Sequence, residues 1–206
     1  MRGSTQPTGP ADRPEDALAR LRGLTIHEAL RVLLESDPLG LAERAQRKLD
    51  AEALFLDPRR AASRLAARVA FELELRDGME LDAWIDRLTA QSLRELLEEQ
   101  RAEEALGVPS ARSSDAGYYR LLAESTQMDV ELVRLVCVTL NELRDGHRRV
   151  FRALAVDRKS VETCAREGLG TSVEIVARFR EAGDAVALAL VNRYGRDVFP
   201  KENHGN

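Results

Sequence analysis

Hydrophobic residues along the chain recur every three or four positions, which places them on one face of an α-helix. The stretch that begins at Pro58 is the clearest case, with apolar residues at Ala61, Ala62, Leu65, Ala66, Val69, Ala70 and Leu73. β-branched residues do not gather into the short runs that are typical of strands. The pattern predicts an all-α fold.

Residues that cap helix N-termini precede several of these segments. Thr25 and Glu28 have the spacing of a capping box, in which each side chain accepts a hydrogen bond from the other residue's backbone amide. Asp37 and Asp57 each precede a proline, which is favoured at the first position of a helix. We therefore predict helices that begin near residues 26, 38 and 58.

The stretch 106–115 has the composition of a linker, with short polar side chains, one proline and no apolar periodicity. We therefore predict two small helical domains, the first over 15–105 and the second over 116–195. Residues 1–14 are rich in Pro, Gly, Ser and Thr, and we predict that they form a disordered arm. Residues 196–206 form a predicted tail.

The second predicted domain contains the sequence shape of a helix-turn-helix, a short helix and a longer one joined by a glycine-containing turn. Ser160 is predicted to cap the short helix, and Gly168 and Gly170 supply the turn. Thr171 and Ser172 are predicted to cap the longer helix, where hydroxyls and first-turn N–H groups suit a phosphate. An ordinary helical hairpin has the same shape, so both interpretations stay open.

Net charge does not favour nucleic acid, because the chain carries a formal charge of −4. Any contact with DNA therefore needs a local basic patch. Residues 146–166 provide one, since their basic residues outnumber Asp157 and Glu162. The basic residues are Arg148, Arg149, Arg152, Arg158, Lys159 and Arg166.

The predicted recognition helix is less basic, because Arg178 and Arg180 are offset by Glu174, Glu181 and Asp184. Two of these side chains are candidate base readers. The carboxylate of Glu174 is suited to accept from a cytosine amino group, and the guanidinium of Arg178 is suited to donate to guanine. We expect DNA affinity from this segment to be weak and to depend steeply on salt.

Enzyme chemistry has no recognisable motif in the sequence. His27 and Glu28 begin like a zinc-protease motif, but Arg31 stands where the second histidine ligand is needed. Cys137 and Cys164 lie in apolar-periodic segments and are predicted to be buried free thiols. No apolar run has the length of a membrane span, and the N-terminus does not resemble a signal peptide. We expect no catalytic residue, no metal or other cofactor, no membrane partner, and a cytoplasmic location.

The second half of the chain resembles region four of RNA polymerase sigma factors of the extracytoplasmic-function type. Residues 139–143, Thr-Leu-Asn-Glu-Leu, followed by Arg149, Val150, Phe151 and Leu154, are similar to the opening of that region. The pattern continues, with one extra residue after Ala165, through Ser160, Glu162, Ala165, Leu169, Gly170, Ser172, Ile175, Arg178, Phe179 and Ala182. In the family this module reads the upstream promoter element and contacts the polymerase flap.

The first half resembles region two of the same family. Residues 83–88, Ala-Trp-Ile-Asp-Arg-Leu, are similar to the family's Trp-Leu-x-Arg-Ile stretch, and Asp57 with Pro58 resembles the start of its polymerase-binding helix. Residues 15–105 would then be a region-two-like domain that carries an N-terminal extension. The chain departs from the family where Arg64 and Arg68 replace an acidic-and-glutamine face, and where Val176 replaces a basic residue.

The resemblance implies a sigma-like regulator of transcription initiation, with core RNA polymerase and promoter DNA as partners and an anti-sigma factor as a candidate third. The DNA-binding candidates are Arg148, Arg149, Arg158, Lys159, Thr171, Ser172, Glu174 and Arg178. The polymerase-binding candidates are Arg60, Arg64 and Arg68. The alternative is a sigma-like adaptor or decoy that acts through protein contacts, which the acidic stretch 98–104 favours. An unrelated helical enzyme or scaffold is a third possibility.

Overall fold

The computed structural model describes residues 14–76 and 78–195, and within them every regular element is helical. The all-α prediction is therefore confirmed for this part of the chain. The predicted arm lies outside the described residues except for Pro14, and the predicted tail, 196–206, lies outside them entirely.

Ten α-helices make up most of the described chain. They are α1 Pro14–Arg22, α2 Ile26–Glu35, α3 Leu41–Ala51, α4 Pro58–Glu72, α5 Leu81–Ala105, α6 Ala116–Thr126, α7 Val130–Glu142, α8 Asp145–Phe151, α9 Val161–Arg166 and α10 Ser172–Tyr194. Turns of 3₁₀-helix cover Leu73–Leu75 and Ser110–Arg112, and a π-helical turn, Arg152–Val156, continues α8.

The predicted helix starts are mostly confirmed. The backbone amide of Thr25 donates to the Glu28 carboxylate at 2.9 Å, and the Glu28 amide donates to the Thr25 hydroxyl at 3.3 Å. Helix α4 begins at Pro58, directly after Asp57. The prediction near residue 38 is wrong by about a turn, because Asp37 has a φ of 41° and its carboxylate caps a helix that begins at Leu41.

The described chain forms two compact units, but their division differs from the predicted one. The first unit contains the residues up to Gln46 together with Pro58–Leu93, and the second contains Arg47–Asp57 and the chain from Arg94 onwards. The stretch 106–115 belongs to the second unit. Glu131 accepts from the Ser110 amide at 2.8 Å, and Glu103 accepts from the Ser113 hydroxyl at 2.6 Å. The missing apolar periodicity in 106–115 correctly indicated that no long helix forms there. It did not mean that the stretch is unpacked.

In the first unit, α2 packs against α4 through fully buried apolar side chains such as Leu33 and Leu65. Trp84, on α5, is also fully buried. Arg76 donates two parallel hydrogen bonds to the carboxylate of Glu15, each 2.8 Å long, which joins α1 to the segment after α4.

The second unit contains two buried apolar clusters. The larger one includes Phe55, Tyr119, Val133, Cys137 and Leu140, and the smaller one is built from Val150, Ala153, Cys164 and Ile175. Both cysteines are buried and free, as predicted. Desolvation raises the pKa of the Cys137 thiol to about 12, so this thiol stays protonated at neutral pH.

Candidate nucleic-acid interface

Helices α9 and α10 are joined by a tight turn that the sequence specifies residue by residue. The Ser160 hydroxyl accepts from the Thr163 amide at 3.2 Å and caps the six-residue α9. The amide of Gly168 donates to the Ala165 carbonyl and that of Leu169 to the Cys164 carbonyl, each at 3.1 Å. This is the Schellman pattern of hydrogen bonds, which requires a left-handed residue, and Gly168 has a φ of 80°.

Helices α9 and α10 pack together through a buried cluster of small and β-branched side chains. Cys164 on α9 and Ile175 on α10 are fully buried, and Val150 on α8 is buried with them. The ring of Phe151 stacks on the ring of Phe179 with a centroid separation of 5.7 Å. Helices α7, α8 and α9 all pack against α10, so the position of α10 within the second unit is set by three neighbours.

Glu174, a predicted base reader, completes a capping box at the start of α10. Its carboxylate accepts from the Thr171 amide at 2.8 Å and from the Thr171 hydroxyl at 3.0 Å, while the Glu174 amide donates to that hydroxyl at 3.3 Å. Hydrogen bonding from the backbone and side chain of Thr171 lowers the pKa of Glu174. One carboxylate oxygen is therefore already engaged within the helix end.

Arg178, the second predicted base reader, supports the turn before α10. Its Nη1 atom donates to the carbonyl of Leu169 at 2.7 Å, and the side chain is half-buried. Gly170 lies next to the Arg178 side chain and has a φ of 132°. A Cβ atom at Gly170 would lie 3.1 Å from the Glu174 carboxylate and 3.2 Å from Arg178 Nη1. Glycine is needed here for both its backbone angle and its lack of a side chain.

Arg148 lies inside the second unit rather than on its surface. Only 8% of the residue is exposed. Its Nε atom donates to the Glu52 carbonyl at 2.8 Å, and its Nη1 atom donates to the Leu143 carbonyl at 2.7 Å. Burial lowers the pKa of Arg148, which is the expected effect of desolvating a cation. A guanidinium committed to backbone carbonyls is poorly placed to meet a phosphate.

The remaining basic candidates are on the surface, and most have acidic partners. Arg149 pairs with Asp145 at 2.9 Å, and Lys159 pairs with Glu167 at 2.7 Å. The hydrogen bond to Glu167 raises the pKa of Lys159. Arg158 is exposed, has a φ of 54°, and forms no hydrogen bond or ion pair with any described residue. It is therefore the basic candidate most available to an outside anion.

One exposed stripe of α10 is mainly apolar in the first two turns of the helix. Val173 is 80% exposed and Val176 is 47% exposed. Ala177 and Arg180 are exposed as well, and the four residues occupy positions i, i+3, i+4 and i+7 of the helix. We call them the outward face. Sequence reasoning noticed Val176 only as a missing cation, although this spacing was a sufficient signal for an apolar stripe.

The polymerase-binding candidates lie in the first unit, on α4. Arg60, Arg64 and Arg68 are all half-buried. Arg68 pairs with Glu72 at 2.9 Å, and Glu72 also pairs with Arg87 at 3.3 Å. These three arginines are therefore partly covered by the first unit, and their positive charge is partly compensated by its acidic residues.

The described residues hold no helix that is long and apolar enough to cross a membrane. Among the same residues, no group of three or more His, Cys, Asp or Glu side chains is arranged to hold a metal ion. No protein-family model, no curated protein and no solved structure matches the chain.

Proposed function

We propose that this protein is a sigma-factor-like regulator of transcription initiation that binds core RNA polymerase and promoter DNA. The observation that carries the proposal is the arrangement of α9 and α10, a short capped helix and a long capped helix joined by a Schellman turn. In a helix-turn-helix, the start of the second helix enters the major groove. The residues that resemble region four lie on α7 to α10 in the family's order, which supports the assignment.

Contacts to DNA phosphates would come from the start of α10 and the basic residues before α9. Ser172 is exposed at a helix N-terminus, where the first amides lack partners in the helix, whereas the Thr171 hydroxyl must leave Glu174 to meet a phosphate. Arg158 is exposed, while Arg149 and Lys159 must exchange an acidic partner for a phosphate. Arg148 is left out of the proposed surface because it is buried. Such contacts fix position on DNA without reading sequence.

The first unit would dock on the polymerase through α4. Its surface combines the half-buried Arg64 with an apolar groove between α2 and α4 of about 330 Å³, which Leu34 and Ala62 help to line. No residue of this protein would act as a catalyst, and no cofactor would be required. The proposed role places the protein with the polymerase in the cytoplasm, where an anti-sigma factor would be a suitable regulator.

The direct test is capture of purified core RNA polymerase by the tagged full-length protein. We expect co-elution in near-equal amounts, and we expect the complex to retain a promoter duplex at low salt. A protein that captures no polymerase under these conditions is not a sigma-like factor. The assay needs no knowledge of the promoter if a pool of random-sequence duplexes is used for the DNA arm.

A protein-contact adaptor is the second candidate, and one observation favours it. Glu174 and Arg178 are both engaged within the fold, so the outward face offers few groups that form hydrogen bonds with bases. An adaptor would capture core polymerase as efficiently as a sigma factor does. In the absence of polymerase it would retain no duplex from the pool, even at low salt, so a DNA arm that uses the protein alone separates the two candidates.

A further inference from the structure

We draw no further inference here: the strongest candidate, the apolar groove of about 330 Å³ between α2 and α4, belongs to the docking surface already proposed, and nothing among the described residues shows what else would cover it.

Discussion

The side-chain amide of Asn141 forms hydrogen bonds with both backbone polar groups of Phe55. The Phe55 amide donates to Asn141 Oδ1 at 2.8 Å, and Asn141 Nδ2 donates to the Phe55 carbonyl at 3.0 Å. Asn141 Nδ2 also donates to Gln100 Oε1 at 2.9 Å, and Gln100 Nε2 donates to the Tyr119 hydroxyl at 2.8 Å. This buried network fastens Arg47–Asp57 into the second unit, although these residues precede α4 in the chain.

We expect Asn141→Ala to lower the free energy of unfolding by about 2–4 kcal/mol, because it leaves the buried backbone groups of Phe55 without partners. Urea unfolding of the full-length protein measures the loss. Asn192→Ala is the matched control, since Asn192 is exposed on α10. If the two alanine variants are equally stable, the network does not anchor the segment.

Local signals were readable from the sequence because they involve neighbouring residues. The capping boxes at Thr25 and Thr171, and the Ser160 cap, depend on residues no more than three positions away. Thr25 was predicted from the full capping-box spacing, and Ser160 from a hydroxyl before an apolar period. At α10 both Thr171 and Ser172 were predicted as caps. Thr171 is the cap, whereas Ser172 is the first helical residue, and the pairing of Thr171 with Glu174 was not predicted. The all-α fold follows from the same periodicity.

Long-range contacts were not readable in the same way. Arg148 looked like one cation among several, but its Nε atom donates to the carbonyl of Glu52, which lies 96 positions earlier. The division between the units falls within α3 and α5, where helical periodicity continues without a break. Composition marked 106–115 as a linker, and it could not show that Glu103 and Glu131 hold that stretch in place.

We therefore expect the stretch 106–115 to resist proteolysis. Arg112 is exposed and is a potential trypsin site, but its backbone is held in a 3₁₀ turn beside residues bound by Glu103. Glu103→Ala should speed cleavage at Arg112, which mass spectrometry of a timed digest detects. Glu124→Ala, at an exposed position of α6, provides the control. Rapid cleavage at Arg112 in the unmodified protein would instead support the linker prediction.

Reversing the charge of Arg64 and Arg68 to Glu should weaken capture of core polymerase severalfold if α4 is the docking helix. Circular dichroism should show unchanged helicity, although Arg68 loses its pairing with Glu72. The two side chains are only 22% and 19% exposed, so urea unfolding must first show that the variant is folded under the conditions of the capture assay. Reversal of Arg94 and Arg120, both exposed, is the control for a general change in charge. Undiminished capture by the Arg64 and Arg68 variant would show that these two side chains do not contact the polymerase.

The cap of α10 should make stability depend on pH. The Thr171 hydrogen bonds lower the folded-state pKa of Glu174, so the carboxylate contributes stability above its unfolded-state pKa of about 4.3. That contribution is lost as the pH falls through the lowered folded-state value. Glu174→Gln should therefore destabilise the protein near neutral pH, and by a smaller amount near about pH 3. Glu124→Gln should be neutral at both. A Glu174→Gln effect of equal size at both pH values would contradict this assignment.

Removing the charges of Arg158 and Lys159 should weaken binding to all duplexes alike. Side chains of this kind bind phosphates, and the slope of log affinity against log salt falls by about one for each phosphate that is no longer bound. Arg158 has no partner among the described residues, so Arg158→Ala should have the larger effect. Lys159 must first leave Glu167, which makes Lys159→Ala the milder change.

Fluorescence anisotropy at several salt concentrations, with the full-length protein, measures both the affinity and the slope. Arg120→Ala is the control, because Arg120 is exposed on α6, outside the proposed surface. It removes the same charge and should leave the slope unchanged. An equal fall in slope for Arg120→Ala and Arg158→Ala would show that net charge, rather than a basic patch before α9, governs the interaction. A weakening confined to selected sequences would instead make Arg158 a reader of bases, because phosphate contacts do not distinguish one sequence from another.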